Sequence, residues 1–254
     1  MTERIPAVIL AAGRMLPALQ EATGVGAKAL IPVGGRPTID RMMDAIRDAE
    51  RVGPVKIVCA PESPLLAHVG LLGVTAEGHS YVDSVATGLR AVGSPARILI
   101  LTGDLPLLTA RSLDHFCGEA LQSGASIVYS IVRREVSEGA FPGGRRTFVR
   151  LRDGTYTGGN IAVLGREFIE GQGARLTAAF AARKNPLALA RMFGVGYLLN
   201  FLFGRLSRAQ VIARAEHILR ADIHVVESPY AEIGFDVDKP SNLASAEAAL
   251  RAQA

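Results

Sequence analysis

The sequence has few cysteines and no apolar run long enough to cross a membrane. Its two cysteines, Cys59 and Cys117, are far apart and form no CxxC pattern, which argues against a disulfide framework and favours a reducing, cytoplasmic location. The nearest candidate for a membrane span, residues 192–203, falls short of the ~20 residues that such a helix needs. We interpret it as a buried helix, with a lipid-facing or dimer surface as the alternative. We expect no signal peptide, because the first apolar run is short and follows Glu3.

The signatures of several ligand-binding classes are also missing. The five histidines have no metal-ligand spacing. The basic residues are not interleaved with base-stacking aromatics, and no helix-turn-helix, RNA-recognition or zinc pattern occurs, so we expect no nucleic-acid partner. The segment "GVGAKAL" lacks the glycine spacing and the Ser/Thr of a P-loop, and no GxGxxG follows the first strand. The two commonest nucleotide-binding fingerprints therefore do not apply.

What is present is a chain of globular composition with an uneven charge. Of its 254 residues, 49% are hydrophobic and 20% are charged, which suits a single domain with a full core. Residues 133–220 contain 15 Lys and Arg against 6 Asp and Glu, although the formal net charge of the whole chain is only +4. Such a basic section favours a phosphate-bearing partner. The alternative is an arginine-rich composition that serves solubility.

Strand and helix patterns alternate along the first half of the chain. Apolar, β-branched runs predict strands at 7–10, 55–59, 97–101 and 126–132, and amphipathic patterns predict helices at 38–50, 80–92 and 109–122. Ser80 with Asp83 resembles a capping box, and Thr109 is a candidate N-cap. Strands that alternate with helices indicate βαβ units and a mainly parallel sheet, so the fold class is α/β.

From Glu135 onward the pattern changes. Alternating residues with turn signals at Asp153-Gly154 and Gly158-Gly159 predict a β-arm, and residues 173–220 read as helical with breaks near 185–186 and 204–205. A strand at 223–226 and a helix at 241–251 end the chain. We expect one domain over 1–254: a nucleotide-binding half (1–132), a β-arm or acceptor part (133–172), a helical insertion (173–221), and a return strand with a metal-binding loop and C-terminal helix (222–254).

The candidate chemistry lies where strands end, because ligands of parallel α/β sheets bind beyond the carboxyl ends of the strands. Ala11, Ala12 and Gly13 follow the first strand, and such small residues let backbone N–H groups approach phosphate oxygens closely. Arg14 and Lys28 follow and would counter the phosphate charge. The alternative for the small residues is an ordinary tight turn.

Three aspartates are candidate metal ligands. Asp104, in "LTGDLPLL", directly follows a strand and can present oxygen to Mg²⁺. Asp236 and Asp238 alternate in "GFDVDKP" and so share one face of an extended segment. Two carboxylates on one face are costly unless they are solvated or joined by a cation. The alternatives are a turn or capping aspartate at Asp104 and two exposed loop acids near the C-terminus.

Taken in order, AAG with Lys28, then GDLP, then DVDKPSNL resemble the nucleotidyltransferase superfamily that includes molybdenum-cofactor guanylyl- and cytidylyltransferases. The helix start "SYVDSVATGLRAV" is similar to that of methylerythritol-phosphate cytidylyltransferases. The resemblance covers most of residues 5–132 and then 233–250. It implies a Rossmann-like three-layer sandwich of the nucleotide-diphospho-sugar transferase type, here with a β-arm and a helical insertion.

The resemblance also implies roles for single residues. Lys28 would match the lysine of the family's Pro-Lys pair and, with Arg14, would be catalytic. Asp104 and Asp238, with Asp236 beside it, would hold Mg²⁺. The nucleotide would contact Lys28 and Asp104 together with Leu10, Ala11, Ala12, Gly13, Ser84 and Gly103, and Ser84 would face the base.

The chain differs from the family in the segment before Lys28. Arg14 follows the AAG turn at once, "LPALQEATGVGA" comes next, and Ala27 stands where the family has proline. Two alternatives are open. Either Arg14 keeps the role of the family's arginine on a shortened loop, or Gly24 and Gly26 form a displaced phosphate loop.

The implied activity is Mg²⁺-dependent transfer of a nucleoside monophosphate from a nucleoside triphosphate, CTP or GTP, to a phosphate-bearing small molecule, with release of pyrophosphate. We predict that Thr157, Gly158, Gly159 and Asn160 form a turn whose amides and side chains meet this acceptor. Its phosphate would be taken by a set of basic residues: Arg145, Arg146, Lys184 and Arg191. The alternatives are a glycosyltransferase of related fold that uses a nucleotide sugar, and a non-catalytic nucleotide-binding domain. A homodimer is a candidate assembly.

Overall fold

The computed structural model describes residues 3–13, 15–76, 80–144, 146–182 and 192–253. Its main sheet has eight strands: β1 (Ile5–Leu10), β4 (Val52–Cys59), β5 (Gly73–Thr75), β6 (Arg97–Thr102), β7 (Ile127–Arg133), β8 (Val149–Leu151), β9 (Gly154–Gly165) and β10 (Ile223–Ser228). Two further strands, β2 (Pro32–Val33) and β3 (Arg36–Pro37), form a separate hairpin. The four strands predicted in the first half are confirmed, and each extends beyond its predicted bounds at one or both ends.

The order of the main sheet is β10-β7-β9-β6-β1-β4-β5, with β8 paired to β9 beside this path. The pairs β1–β4, β1–β6, β4–β5 and β7–β10 are parallel, whereas β9 runs antiparallel to β6, β7 and β8. The predicted, mainly parallel sheet is therefore confirmed. Because β1 lies between two parallel neighbours, its carboxyl end lies beside those of β4 and β6.

Ten helices are described: α1 (Pro17–Thr23), α2 (Thr38–Asp48), α3 (Leu65–Val69), α4 (Tyr81–Ala91), α5 (Ala110–Ser123), α6 (Arg134–Ala140), α7 (Arg166–Ala182), α8 (Val195–Leu202), α9 (Arg208–Leu219) and α10 (Pro240–Gln253). Both predicted N-caps are confirmed. The Ser80 hydroxyl accepts from the Asp83 N–H, and the Thr109 hydroxyl accepts from the Ser112 N–H. Among the described residues, none of these helices combines the length and the apolar content that a membrane span requires.

Helices cover both faces of the sheet, as the three-layer expectation requires. On one face, Ile9 of β1 lies in a buried cluster with residues of α2 and α5. On the other face, the preceding residue, Val8, lies in a buried cluster with residues of α4 and α7. Alternation of side chains along a buried strand produces these two cores. The outer layers thereby hold the strand ends in a fixed relation to one another.

Strand β9 corrects the predicted β-arm. A turn at Arg152-Asp153, one residue before the predicted Asp153-Gly154, joins β8 to β9, and Gly154 is the first residue of β9. The turn predicted at Gly158-Gly159 is wrong, because both residues lie inside β9, which crosses the sheet between β6 and β7. Glycine is needed there for packing: a Cβ at Gly159 would collide with the Ser130 hydroxyl of β7. A break in the β7–β9 register next to this pair marks a bulge.

The helical part of the chain begins earlier than predicted, since α7 starts at Arg166. The break near residues 204–205 is confirmed by the turn after α8, whereas the break near 185–186 lies outside the described residues. The interpretation of residues 192–203 as a buried helix is wrong. Helix α8 contains no buried residue, and Phe203 just beyond it is exposed.

Candidate functional site

The turn after β1 packs directly against the end of β6. The Gly103 N–H donates to the Leu10 carbonyl at 3.0 Å, and the Ala11 N–H donates to the Val58 carbonyl at 2.8 Å. A Cβ at Gly103 would lie 2.9 Å from the Cβ of Ala11, so a side chain there would push the two strand ends apart. Glycine at 103 and alanine at 11 thus keep the two ends in contact.

These strand ends form one wall of a cavity of about 390 Å³. Its lining includes all eight residues that the sequence predicts to contact the nucleotide: Leu10, Ala11, Ala12, Gly13, Lys28, Ser84, Gly103 and Asp104. They come from the ends of β1 and β6, the first turn of α4 and the 3₁₀ turn Lys28–Leu30. Residues separated by up to 94 positions in sequence therefore meet at one site.

A second cavity of about 780 Å³ adjoins the first and shares residues 11–13 and Ser84 with it. Its other wall is the loop after β4, residues 60–64, which sequence reasoning missed. The rule that located the AAG turn would have found this loop, because β4 is parallel to β1 and ends at the same edge of the sheet. The two cavities together offer room for phosphates and for a nucleoside.

The unusual segment before Lys28 folds as the short helix α1. Gly24 ends this helix in the left-handed conformation, with φ of 69°, and its N–H donates to the Gln20 carbonyl at 2.7 Å. That is the ordinary role of a glycine after a helix, so Gly24 has a structural role of its own. Gly26 lines the second cavity. Arg14 lies outside the described residues, and its role stays a prediction.

The three predicted metal ligands come together. Asp104, Asp236 and Asp238 each offer a carboxylate oxygen, and these oxygens lie within 4.8 Å of one another. The Val237 N–H donates to the Asp104 carbonyl at 3.0 Å and ties the two segments together. Phe235 and Val237 are 1% exposed in the core, so the aspartates that alternate with them face the opposite side. The segment is extended but forms no strand.

Two cations neutralise most of this acidic cluster. The Lys28 ammonium donates a hydrogen bond to the Asp238 carboxylate and lies 3.6 Å from Asp104 Oδ2. The Arg146 guanidinium pairs with Asp236, and its side chain is only 11% exposed. Three carboxylates against two cations leave the cluster with one formal negative charge when all are ionised.

Burial and pairing shift the pKa values of these groups. Burial raises the pKa of Asp104 above its usual 3.8, although the nearby Lys28 charge opposes this shift. For Lys28, burial alone would lower the pKa, but the hydrogen bond to Asp238 and the charges of Asp104 and Asp238 outweigh it and raise the pKa above 10.5. Lys28 is therefore a cation at any physiological pH.

The cluster suits a divalent cation. One buried oxygen of Asp104, Oδ1, has no hydrogen-bond partner in the described part of the chain. A buried polar atom without a partner is costly, and carboxylate oxygens are the ligands that Mg²⁺ prefers. The donor set of Asp104, Asp236 and Asp238 therefore fits the predicted metal.

The predicted acceptor residues lie beside this cluster, on strand β9. The Gly158 carbonyl accepts from Arg146 at 2.9 Å, and the Gly159 carbonyl accepts from the Tyr129 hydroxyl at 3.0 Å. The Asn160 side-chain nitrogen Nδ2 is buried and has no hydrogen-bond partner among the described residues. Arg146 thus links β9 to the aspartates. The other basic residues predicted for the acceptor phosphate, Arg145, Lys184 and Arg191, lie outside the described residues.

Comparison with known proteins also indicates an NTP transferase. Residues 7–217 match the family model described as the MobA-like NTP transferase domain. A hypothetical transferase from Thermus thermophilus is 36% identical and superimposes with a TM-score of 0.80 over 94% of this chain and 99% of that one. The 4-diphosphocytidyl-2C-methyl-D-erythritol synthase of Anaerococcus prevotii shares the fold, with a TM-score of 0.58 at 15% identity over 98% of this chain and 96% of that one.

Among curated proteins, 2-C-methyl-D-erythritol 4-phosphate cytidylyltransferase of Prochlorococcus marinus is 32% identical over 107 residues. The alignment covers 40% of this chain and 48% of that protein. The chain therefore spans about half the length of the curated relatives it matches.

Proposed function

We propose that this chain, which belongs to the MobA-like NTP transferase domain family, transfers a nucleoside monophosphate from CTP or GTP to a phosphate-bearing small molecule. One observation supports this proposal most directly: the AAG turn, Lys28 and Asp104 line the same cavity, and two further aspartates lie beside Asp104. An oxygen of the acceptor phosphate would attack the α-phosphorus. The bond from that phosphorus to the bridging oxygen would break, and pyrophosphate would leave.

The backbone of the AAG turn would hold the triphosphate. Ala11, Ala12 and Gly13 line both cavities, and a Cβ added at Gly13 would meet nothing within 4 Å. This open space lets phosphate oxygens come close to the main-chain N–H groups. Positioning of this kind matters more than covalent chemistry in phosphoryl-type displacements.

Lys28 would stabilise the charge that develops on the phosphate oxygens in the transition state. Its raised pKa keeps it charged for this task. Its ammonium now pairs with two aspartates, and a triphosphate in the same cavity would offer it a competing anionic partner. Lys28 therefore has an anion to bind both before and after the nucleotide arrives.

The carboxylates of Asp104, Asp236 and Asp238 would hold the Mg²⁺ that the family resemblance implies. When bound there, the ion supplies charge neutralisation and polarises phosphate oxygens. Asp104 would contribute its buried Oδ1, which has no hydrogen-bond partner among the described residues. Arg146, which pairs with Asp236 and binds the Gly158 carbonyl, stands between this cluster and β9, where the acceptor phosphate would enter.

The nucleoside would occupy the second cavity. Ser84 lines both cavities from the first turn of α4, and its place at their border suits a contact with the ribose or the base. We favour CTP over GTP, because the curated relatives are named as cytidylyltransferases.

The test is pyrophosphate release by the purified chain with Mg²⁺, each of the four ribonucleoside triphosphates and a panel of phosphate monoesters. We expect release from CTP or GTP that depends on the acceptor. Binding of a triphosphate without release for every acceptor would favour a non-catalytic nucleotide-binding domain. Transfer from a nucleotide sugar would favour the glycosyltransferase alternative.

A lysine substitution tests the site itself. Removing one such charge-stabilising partner typically lowers the rate by a factor on the order of 10²–10³. We therefore expect the rate of nucleotide transfer by Lys28→Ala to fall by that factor. Lys56→Ala is the matched control, because the Lys56 ammonium donates to the Leu71 carbonyl outside the lining of both cavities. An unchanged rate in Lys28→Ala would refute the assigned site.

A further inference from the structure

Helix α8 carries an apolar stripe that the described part of the chain leaves exposed. Val195, Leu199, Leu202 and Phe203 are 64%, 49%, 70% and 67% exposed. Their spacing of i, i+4, i+7 and i+8 places them on one side of the helix. Four large apolar side chains that share one exposed face form a patch of the kind that marks an interaction site.

Three exposed arginines flank the stripe. A Cβ at Gly204, just after α8, would lie 3.2 Å from the Arg150 side chain, and the Arg152 N–H donates to the Leu206 carbonyl at 2.9 Å. Arg205 lies between these contacts, and its guanidinium stacks over the Phe203 ring at 5.4 Å. None of the three arginines forms an ion pair with a residue of the described ranges. The arginines and the apolar stripe together are called the α8 surface below.

The segment of the chain that contains α8 is rich in basic residues. Residues 171–215 include seven Lys and Arg and no Asp or Glu. Asp153, which follows Arg152 in sequence, accepts hydrogen bonds from the Arg208 N–H at 3.0 and 3.1 Å at the start of α9. An apolar helix face flanked by exposed arginines of neighbouring segments has the chemistry of a surface that binds the interface of an anionic membrane.

We propose that the α8 surface docks this protein on anionic lipid membranes, with the stripe entering the acyl boundary and the arginines meeting lipid phosphates. A second copy of the chain is the less favourable occupant. A two-fold contact would bring the same surface of each copy together. It would therefore set the three exposed arginines of one copy against those of the other.

A series of contacts connects the α8 surface to the acceptor side of the candidate site. Helix α8 packs on β8, and Val149 of β8 pairs with Tyr156 of β9. Two residues further along β9 is Gly158, whose carbonyl binds Arg146. Docking would therefore hold the acceptor side of the site near the lipid surface without any membrane span.

The experiment is co-sedimentation of the full chain with vesicles of phosphatidylcholine alone and of phosphatidylcholine mixed with phosphatidylglycerol. We expect binding to the mixed vesicles only, and weaker binding as salt is raised. The double variant Leu202→Gln/Phe203→Ser should abolish binding. Arg150→Gln, Arg152→Gln and Arg205→Gln should each weaken binding to the mixed vesicles roughly fivefold.

Matched controls lie near β5, an edge strand of the sheet. Leu71 is 94% exposed near β5, so Leu71→Gln removes an exposed leucine elsewhere and should leave binding unchanged, as should Lys56→Gln. Circular dichroism will show that the stripe variants fold, which we expect since the changed side chains are exposed. We expect all of these variants to retain nucleotide transfer when it is measured without vesicles. Loss of vesicle binding can therefore be distinguished from loss of the proposed function, on which this inference rests.

Two results would overturn the proposal. One is equal or absent binding to both kinds of vesicle by the folded wild-type chain. The other is a dimer in sedimentation velocity that Leu202→Gln/Phe203→Ser dissociates, together with no vesicle binding, which would assign the stripe to a second copy.

Discussion

The nucleotide side and the acceptor side of the site are built in different ways. On the nucleotide side, the turn after β1 and the Gly103-Asp104 pair lie at the ends of parallel strands and are joined by main-chain hydrogen bonds. On the acceptor side, the Arg146 side chain links the antiparallel strand β9 to Asp236. The first side depends on backbone placement and the second on a buried ion pair.

This difference bears on how each side tolerates change. A turn of small residues at a sheet edge persists as long as the sheet does, because its geometry belongs to the backbone. A buried ion pair depends on both partners, and removal of one leaves the other uncompensated. Substitutions on the acceptor side should therefore alter binding of one substrate, whereas those on the nucleotide side should alter the reaction as a whole.

The largest effect is expected at Asp104, where activity and stability should move in opposite directions. Asp104→Asn should lower the rate of transfer by about 10²–10³. Because burial raises the pKa of Asp104, the fold disfavours the ionised carboxylate. Any stability from this group is present below its unfolded pKa of about 3.8 and is lost as pH rises through the higher folded pKa.

In metal-free buffer at neutral pH, Asp104→Asn should consequently have a thermal midpoint no lower than that of wild type, and the two midpoints should converge as pH falls towards 4. Differential scanning calorimetry across pH measures this. A marked loss of stability at neutral pH would show that the paired carboxylate stabilises the fold instead.

Arg146→Gln should break the acceptor side selectively. It removes the partner of Asp236 and the donor to the Gly158 carbonyl. A charge-assisted interaction contributes about 1.5–3 kcal/mol, so we expect KM for the acceptor to rise roughly tenfold to a hundredfold, with KM for the nucleotide nearly unchanged. Steady-state kinetics with each substrate varied in turn makes the comparison. Equal changes in both KM values would contradict the division of the site.

Gly159→Ala should destabilise the sheet where β9 meets β7. The added methyl group would collide with the Ser130 hydroxyl, which now donates to the Ile161 carbonyl at 2.9 Å. Overpacking of this kind costs about 1–3 kcal/mol, which urea unfolding will measure. Ser130→Gly in the same chain should restore part of the loss, because it removes the colliding atom.

Ser80→Ala should have the smallest effect. It removes the capping box at the start of α4, whose loss costs about 1 kcal/mol of unfolding free energy. Since Ser80 lies in the cavity lining, the paired variant Thr109→Ala, which removes the equivalent cap of α5, separates the stability change from any change in nucleotide binding.

The parts of the site that could be predicted are those with a local signature. Residues 11–13 and Asp104 follow buried strands, and the strand-end rule brings them to one edge. The loop at residues 60–64 obeys the same rule, but no residue type in it signals a binding site, so it was not identified from the sequence. The Gly158-Gly159 pair has the composition of a turn. In the structure both residues lie in β9 beside a bulge, where a Cβ at either position would collide with a side chain of β7. Tertiary packing here overrides the local turn preference.

By itself, the sequence determined the alternating strands and helices, the caps at Ser80 and Thr109, and the side-chain-free turn, since periodicity and backbone sterics act over a few residues. Only the tertiary structure decided that β9 crosses the middle of the sheet, that α8 is exposed, and that Lys28 pairs with Asp238, 210 positions away. Such features arise from contacts between distant segments, and no local pattern of residue types encodes them.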